Sequence, residues 1–88
     1  MQRLKITVIG DVQGVGYRAR CWELAERYGL TGYAKNMPDG RVEVCIEGDK
    51  KAVEDFKSHL PNMPGYTESI HEESTEIKDR QYNSFSII

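Results

Sequence analysis

A glycine-rich segment, residues 10–18 with the sequence Gly-Asp-Val-Gln-Gly-Val-Gly-Tyr-Arg, separates two stretches of different hydrophobic period. Before it, residues 4–9 alternate in the manner of a half-buried β-strand. After it, apolar residues recur every three or four positions from residue 17 to 28, the period of an amphipathic helix, which Gly29 is suited to end. The segment therefore joins a strand to a helix N-terminus, and this junction predicts a fold that mixes α and β structure.

The rest of the chain supplies four more strands and one more helix. The predicted elements are strands at residues 32–36, 42–47, 70–77 and 84–88, and a helix that Asp49 caps and Pro61 closes. A Pro38-Asp39-Gly40 turn makes a hairpin of the second and third strands. The order strand, helix, strand, strand, helix, strand predicts an α+β fold of the ferredoxin-like split βαβ type (βαββαβ), an antiparallel sheet with two helices on one face.

Size and composition narrow the classes of function. With 88 residues, the chain is long enough for a single domain over residues 1–88. Its formal net charge of -2 gives no reason to expect a nucleic-acid or acidic-membrane partner. Two cysteines do not make a disulfide framework, and no signal peptide or membrane span is visible. We therefore expect a cytoplasmic monomer that binds neither nucleic acid nor membrane.

The strand-to-helix junction has the features of an anion site. The first turn of a helix has unpaired N–H groups and the positive end of the helix dipole. Gly14 and Gly16 allow the loop backbone to curve so that successive N–H groups form a concave nest. Arg18 adds a planar guanidinium that can bind phosphate or carboxylate oxygens in pairs. The junction is therefore predicted to be a small phosphate-type binding loop.

A second residue is expected on the other side of this site. In a split βαβ unit the first two strands run parallel with the third between them, so Gly10 and Asn36 end at the same edge, roughly 10 Å apart. Arg18 and Asn36 can then flank one small anion. No serine, cysteine or histidine is placed there as a nucleophile, and no cluster offers a metal site. These groups suit the attack of a positioned water on an activated phosphate such as a mixed anhydride.

Two separate motifs, and the separation between them, resemble those of the acylphosphatase family: Val-Gln-Gly-Val-Gly-Tyr-Arg at 12–18, and Gly-Tyr-Ala-Lys-Asn at 32–36 followed by Asp-Gly-Arg-Val-Glu at 39–43, with a weaker match at 85–87. The resemblance implies the ferredoxin-like fold and hydrolysis of an acyl phosphate to a carboxylate and inorganic phosphate, without a metal, a cofactor or a phosphoenzyme. It implies that Arg18 binds the phosphoryl oxygens and that Asn36 orients the attacking water. The substrate-binding residues that it implies are Gly10, Asp11, Val12, Gln13, Gly14, Val15 and Gly16.

The chain departs from the family pattern at three places. Asp11 stands where the family commonly has a basic residue, and its carboxylate is expected to weaken anion affinity by like-charge repulsion. Met37 stands where some members have a hydroxyl, so one hydrogen bond to the water is expected to be missing. Residues 61–66 do not reproduce the usual turn after the second helix.

Structural interpretations compete with the functional ones at most of these residues. Taken alone, Arg18 is equally suited to an ion pair with Glu23 or Glu26, and Asn36 to turn chemistry. The glycines also imitate a dinucleotide-binding fingerprint, but 88 residues leave no room for a doubly wound sheet. The remaining candidate residues are assigned to structure: Cys21 to the apolar face of the first helix, Cys45 to the opposite sheet face, His59 to a helix end and His71 to the surface.

Three classes of function stay open on the sequence. The preferred hypothesis is a metal-independent acyl-phosphate hydrolase. The second is a domain of the same fold that binds phosphate or carboxylate without turnover. The third is an interaction or nucleic-acid-binding module on a ferredoxin-like scaffold, which the charge balance disfavours.

Overall fold

The computed structural model describes all of residues 1–88 and contains one five-stranded sheet and two α-helices. In chain order the elements are β1 (Gln2–Asp11), α1 (Tyr17–Tyr28), β2 (Thr31–Asn36), β3 (Val42–Gly48), α2 (Lys50–Lys57), a short 3-10 turn (Leu60–Asn62), β4 (Tyr66–Glu76) and β5 (Phe85–Ile87). The strands lie in the order β4-β1-β3-β2-β5. The predicted βαββαβ ferredoxin-like fold is confirmed, with β5 added at one edge of the sheet.

The central strand β3 determines which ends of the other strands meet. Both β1 and β2 pair with β3 in the antiparallel sense, so β1 and β2 run parallel to each other. Val42, the first residue of β3, lies opposite both Val8 of β1 and Asn36 of β2. Asn36 therefore lies at the same end of the sheet as the point where β1 continues into the glycine-rich loop.

One face of the sheet packs against both helices. A cluster of 17 buried apolar residues fills this layer, and the alternating residues Leu4, Ile6 and Val8 of β1 belong to it. Its largest fully buried side chains include Tyr17, Phe56, Leu4, Ile6, Leu24 and Ile46. Burial of each large apolar side chain contributes roughly 1.5–3 kcal/mol. This packing explains why the hydrophobic periods located β1, α1 and β3 correctly.

The second helix is shorter than predicted. Asp49 occupies its N-cap as expected, although its side chain makes no capping hydrogen bond, and α2 ends at Lys57 rather than next to Pro61. The Ser58 hydroxyl donates to the main-chain oxygen of Asp55 at 2.6 Å. A residue before proline is also restricted in the α conformation. The chain therefore leaves α2 early and forms a 3-10 turn, which still buries Leu60.

The two edge strands differ most from the sequence prediction. β4 begins at Tyr66, four residues before the predicted start at Ile70, and most of its residues are exposed. Its ladder with β1 extends over ten residue pairs, so backbone hydrogen bonds define the strand without a hydrophobic alternation. At the other edge, β5 pairs parallel with β2. The sheet is consequently mixed rather than wholly antiparallel.

Both cysteines are buried free thiols, on opposite sides of the sheet: Cys21 lies in the helical layer, and Cys45 on the other face of β3. That other face also holds Glu47, which is fully buried although it is a polar residue of the alternating strand pattern. Neither helix has the length and hydropathy needed to span a bilayer.

Candidate active site

The loop between β1 and α1, residues 12–16, leaves the start of α1 open. Gly16 is the N-cap residue of α1, with a left-handed φ of 89°, and no side chain caps the helix. A side chain added to Gly16 would meet no atom within 4 Å, so glycine is required here by its φ and not by crowding. The N–H groups of the first turn and the positive end of the helix dipole are thus available to an anion.

A cavity of about 150 Å³ lies at this helix start. Its volume is about that of five water molecules, which suits a phosphoryl group and a water. The lining residues are Val12, Gly14, Gly16, Tyr17, Arg18, Ala19, Asn36 and Ile87. Two residues 18 positions apart in the sequence, Arg18 and Asn36, are therefore brought to one small site.

Arg18 reaches the site without an aspartate or glutamate partner. None of the ion pairs of the chain includes Arg18, and Glu23 pairs with Arg20 instead, at 3.5 Å. The Nη1 group of Arg18 donates to the main-chain oxygen of Ile88 at 2.8 Å. This single contact holds one arm of the guanidinium, so the remaining N–H donors are free to bind an anion.

The side chain of Asn36 also has an unused polar atom. Its Oδ1 is buried and accepts no hydrogen bond from the protein. A buried acceptor without a donor costs roughly 1–3 kcal/mol. An orphaned acceptor of this kind, in the wall of a cavity, is suited to receive a hydrogen bond from a water or a ligand.

Gln13 connects the loop to the turn after Asn36. Its Nε2 donates to the main-chain oxygens of Met37 at 2.8 Å and Arg41 at 3.0 Å. The side chain thereby ties the loop after β1 to the β2–β3 hairpin, next to Asn36. Gln13 is placed to support the site rather than to line it.

Gly65, the residue before β4, packs closely against the loop. A Cβ on Gly65 would lie 2.4 Å from the main-chain oxygen of Asp11 and 2.8 Å from Cγ2 of Val15. Its φ of 82° is also left-handed. Only glycine fits between these atoms, so the backbone at Gly65 packs directly against the loop.

Gly10 and Asp11 lie apart from the 150 Å³ cavity. They are the last residues of β1 and pair with Thr67 and Tyr66 of β4, after an irregularity in the ladder between Ile9 and Gly10. Both line a separate hollow of about 450 Å³, whose other lining residues include Asp39, Arg41 and Glu68. The structure therefore brings Val12, Gly14 and Gly16 to the cavity with Arg18 and Asn36, but not Gly10, Asp11, Gln13 or Val15.

The cavity wall contains no carboxylate, thiol, hydroxyl of serine or threonine, or imidazole. Elsewhere, burial raises the pKa of the Cys21 thiol to about 12, which keeps it protonated near neutral pH. His59 shares a hydrogen bond of 2.8 Å with the Tyr28 hydroxyl, and His71 is exposed on β4. No three His, Cys, Asp or Glu side chains converge on a possible metal site. The site can bind and polarise an anion and hold a water, and it has no side chain suited to covalent catalysis.

Three sets of contacts that support this site could not be found from the sequence. The contact between Arg18 and Ile88 joins residues 70 positions apart, and the Gln13 contacts span 24 and 28 positions. The third is the close approach of Gly65 to the loop. None of them has a local pattern, because each depends on how distant segments pack.

Comparisons with known proteins agree with this geometry. The family model described as acylphosphatase matches residues 4–87. The chain is 56% identical over 64 residues to an acylphosphatase of Thermus thermophilus, covering 73% of each chain. It is 40% identical over 84 residues to an acylphosphatase of Chromohalobacter salexigens, covering 96% of this chain and 93% of the relative.

A solved structure gives the same result for the fold. The crystal structure of acylphosphatase from Bacillus subtilis superposes with a TM-score of 0.90 at 32% identity. The match covers 100% of this chain and 99% of the other. The chain therefore belongs to the acylphosphatase family, and it is an enzyme that hydrolyses acyl phosphates.

Proposed function

We propose that the chain hydrolyses acyl phosphates by direct attack of water on phosphorus, with Arg18 and the loop amides binding the phosphoryl group and Asn36 orienting the water. The observation that carries this proposal is that Arg18 and Asn36 line one small cavity at an uncapped helix start, with no nucleophile in its wall.

Binding of the phosphoryl group falls to the positive side of the cavity. Backbone N–H groups of the loop residues that line the cavity, Val12, Gly14 and Gly16, and of the first turn of α1 supply neutral donors, and the guanidinium of Arg18 supplies a full charge. Together they offset the charge on the phosphoryl oxygens. Because the donors are held by the loop and by the Ile88 contact, little reorganisation is needed as the transition state forms.

The reaction itself places modest demands on the enzyme. The water oxygen forms a bond to phosphorus while the bond between phosphorus and the acyl oxygen breaks, and the carboxylate departs with the bonding electron pair. The proton of the water passes to a phosphate oxygen and then to solvent. Such a transition state is loose, so positioning and charge stabilisation matter more than proton removal. Asn36, whose amide is not a base near neutral pH, is sufficient to hold the water through its free Oδ1.

We further propose that the reaction needs no metal or cofactor and that the enzyme works as a cytoplasmic monomer. The charge of Arg18 and the helix start can neutralise the phosphoryl group, which is the task that metal ions perform in many phosphoryl transfer enzymes. The two free, buried thiols are compatible with a reducing compartment.

An isotope experiment tests the chemical course. Benzoyl phosphate is hydrolysed by the enzyme in ¹⁸O-water containing a chelator, and both products are analysed by mass spectrometry. We expect label in inorganic phosphate, none in benzoate, and a rate that the chelator does not change. Label in benzoate would show attack at the carbonyl carbon, and loss of activity on chelation would show that a metal is required.

Variants test the two residue roles. We expect Arg18→Gln to weaken inhibition by inorganic phosphate and Asn36→Ala to lower kcat. The matched controls are Arg20→Gln, on the same helix, and Asn62→Ala, on the 3-10 turn, neither of which lines the cavity. Equal effects of a variant and its control would remove the assigned role.

A further inference from the structure

Glu47 of β3 is the only charged residue among the buried ones, and its side chain is fully enclosed on the sheet face opposite the helices. Its Oε2 accepts hydrogen bonds from Nε and Nη2 of Arg3 at 2.9 and 2.7 Å. Its Oε1 accepts from the backbone N–H groups of Gln81 at 2.8 Å and Tyr82 at 3.1 Å. Both carboxylate oxygens are thus used, one for an ion pair and the other for a distant part of the backbone.

The backbone held by Glu47 belongs to the connecting segment, residues 77–84, which leads from β4 to β5. Arg80 adds hydrogen bonds of 3.0 Å to the main-chain oxygen of Glu47 and to Oγ1 of Thr31. The ring of Tyr82 meets that of Tyr33 edge to face, with centroids 5.6 Å apart. The connecting segment is therefore attached to β3 and β2 mainly by polar contacts, and Glu47 takes part in three of the hydrogen bonds.

The connecting segment delivers β5 to the active site. β5 has only three residues and pairs with β2 alone, so apart from the core contact of Phe85 its placement depends on how the preceding segment is held. Immediately after β5, the backbone N–H of Ile88 donates to the main-chain oxygen of Ala34. The main-chain oxygen of Ile88 accepts a hydrogen bond from Nη1 of Arg18. Ile87 lines the cavity. A continuous path of seven residues, 82–88, thus links the Glu47 carboxylate to the Arg18 guanidinium.

We propose that Glu47 is a positioning residue for phosphoryl binding: by fixing the connecting segment it fixes β5 and the Ile88 oxygen that orients the Arg18 guanidinium. This inference rests on the proposed role of Arg18. A purely apolar contact would close the segment equally well. The carboxylate instead fixes two adjacent backbone N–H groups in register, which determines where the chain six residues later meets Arg18.

The proposal predicts a specific kinetic effect of Glu47→Ala. Misplacement of the Arg18 guanidinium weakens phosphoryl binding, so KM for benzoyl phosphate and the inhibition constant of inorganic phosphate should both rise by about tenfold, the loss of one charge-assisted contact at the lower end of its range. The kcat value should change less, because Asn36 and the loop are untouched. A merely structural role would lower the folded fraction, which reduces the apparent kcat and leaves KM unchanged.

A double-variant cycle tests whether the effect acts through Arg18. In the Arg18→Gln background, Glu47→Ala should raise the dissociation constant of inorganic phosphate, measured calorimetrically, by less than about twofold. The control is Glu43→Gln, a glutamate on the same strand and face that bonds to Tyr33 and Lys5 and does not touch the connecting segment. It should leave KM unchanged.

The outcomes separate this inference from the proposed function. If Arg18→Gln binds phosphate as tightly as the native chain, the proposed function fails. If Arg18→Gln weakens binding but Glu47→Ala does not, or if the two effects are additive, only the positioning role fails. Should Glu47→Ala not fold, the same cycle is run with Glu47→Gln, whose neutral Oε1 accepts weaker hydrogen bonds from the backbone N–H groups of Gln81 and Tyr82, so KM should rise by about threefold. No change in KM with that variant would overturn the proposal.

Discussion

The replacement of Arg18 by glutamine is the most informative test of the site, because activity and stability should respond in opposite ways. Nη1 of Arg18 is engaged by the Ile88 oxygen, so Nη2 and Nε remain for a two-point contact with the phosphoryl oxygens. Two charge-assisted hydrogen bonds at the lower end of their range contribute about 3 kcal/mol. Arg18→Gln should therefore weaken inhibition by inorganic phosphate about 140-fold.

Stability should not fall with affinity. Arg18 makes no ion pair with an aspartate or glutamate, its one hydrogen bond, to the Ile88 oxygen, is exposed to solvent, and a cation in the first turn of a helix opposes the helix dipole. Thermal unfolding of Arg18→Gln, followed by circular dichroism, should show an unchanged or slightly raised Tm. Residues that serve binding at the expense of stability often behave in this way.

The assay is competitive inhibition of benzoyl phosphate hydrolysis by inorganic phosphate, with Arg20→Gln as the control. Arg20 lies on the same helix but bonds to Glu23, so its loss should change the inhibition constant by less than about twofold. Arg18→Lys should recover part of the affinity, since it keeps the charge without the planar pair of donors. An inhibition constant of Arg18→Gln within twofold of the native value would refute the reasoning.

Four other outcomes are expected. Asn36→Ala should lower kcat by about 100-fold or more, the usual effect of losing one positioned polar group, and an unchanged kcat would remove Asn36 from the mechanism. Gly65→Ala should destabilise the fold by about 1–3 kcal/mol and raise KM, because its Cβ must displace Asp11 and Val15; denaturant unfolding and steady-state kinetics measure the two effects. Tyr17→Phe should leave stability unchanged or raise it by about 1 kcal/mol, since the buried hydroxyl has no partner, and a clear loss in denaturant unfolding would contradict this. Burial opposes ionisation of Glu47, but the hydrogen bonds from Arg3, Tyr82 and Gln81 outweigh it and hold the pKa of the carboxyl below the ordinary 4.5. The ionised carboxylate therefore stabilises the fold fully above pH 4.5, and this stabilisation is lost as the pH falls through the lowered pKa. Tm should consequently decline less steeply below pH 4.5 in Glu47→Gln than in the native chain.

Local sequence patterns predicted the parts of the fold that bury an apolar face. β1, α1 and β3 each place a regular apolar period against the shared core, and the period is visible in the sequence. β4 has no such period because it is an edge strand with mostly exposed residues, held by its backbone ladder. Its start was therefore placed four residues late.

The burial of Glu47 could not be predicted from the local sequence pattern. In the alternating pattern of β3 it counts as a polar residue on an exposed face, yet it is fully buried. Its burial depends on Arg3, 44 positions earlier, and on backbone groups 34 and 35 positions later. A window along the sequence does not contain partners at these separations.

The position of Arg18 and Asn36 at one site was predictable because it follows from the order of the elements alone. Because β1 and β2 run parallel on either side of β3, the loop after β1 and Asn36 at the end of β2 must lie at the same end of the sheet. The finer arrangement was not predictable in this way, since the Gln13 and Ile88 contacts depend on the tertiary placement of distant turns. The roles assigned to these residues stay predictions until the variants are measured.

The makeup of the cavity wall has a consequence for how the enzyme should respond to acidity. Its side chains include no group that gains or loses a proton between the carboxylate and phenol ranges, and burial moves the pKa of Tyr17 still further upward. The turnover rate should therefore form a plateau across the neutral region. Any inflection there would report the ionisation of the substrate's own phosphate and shift when the acyl group is changed.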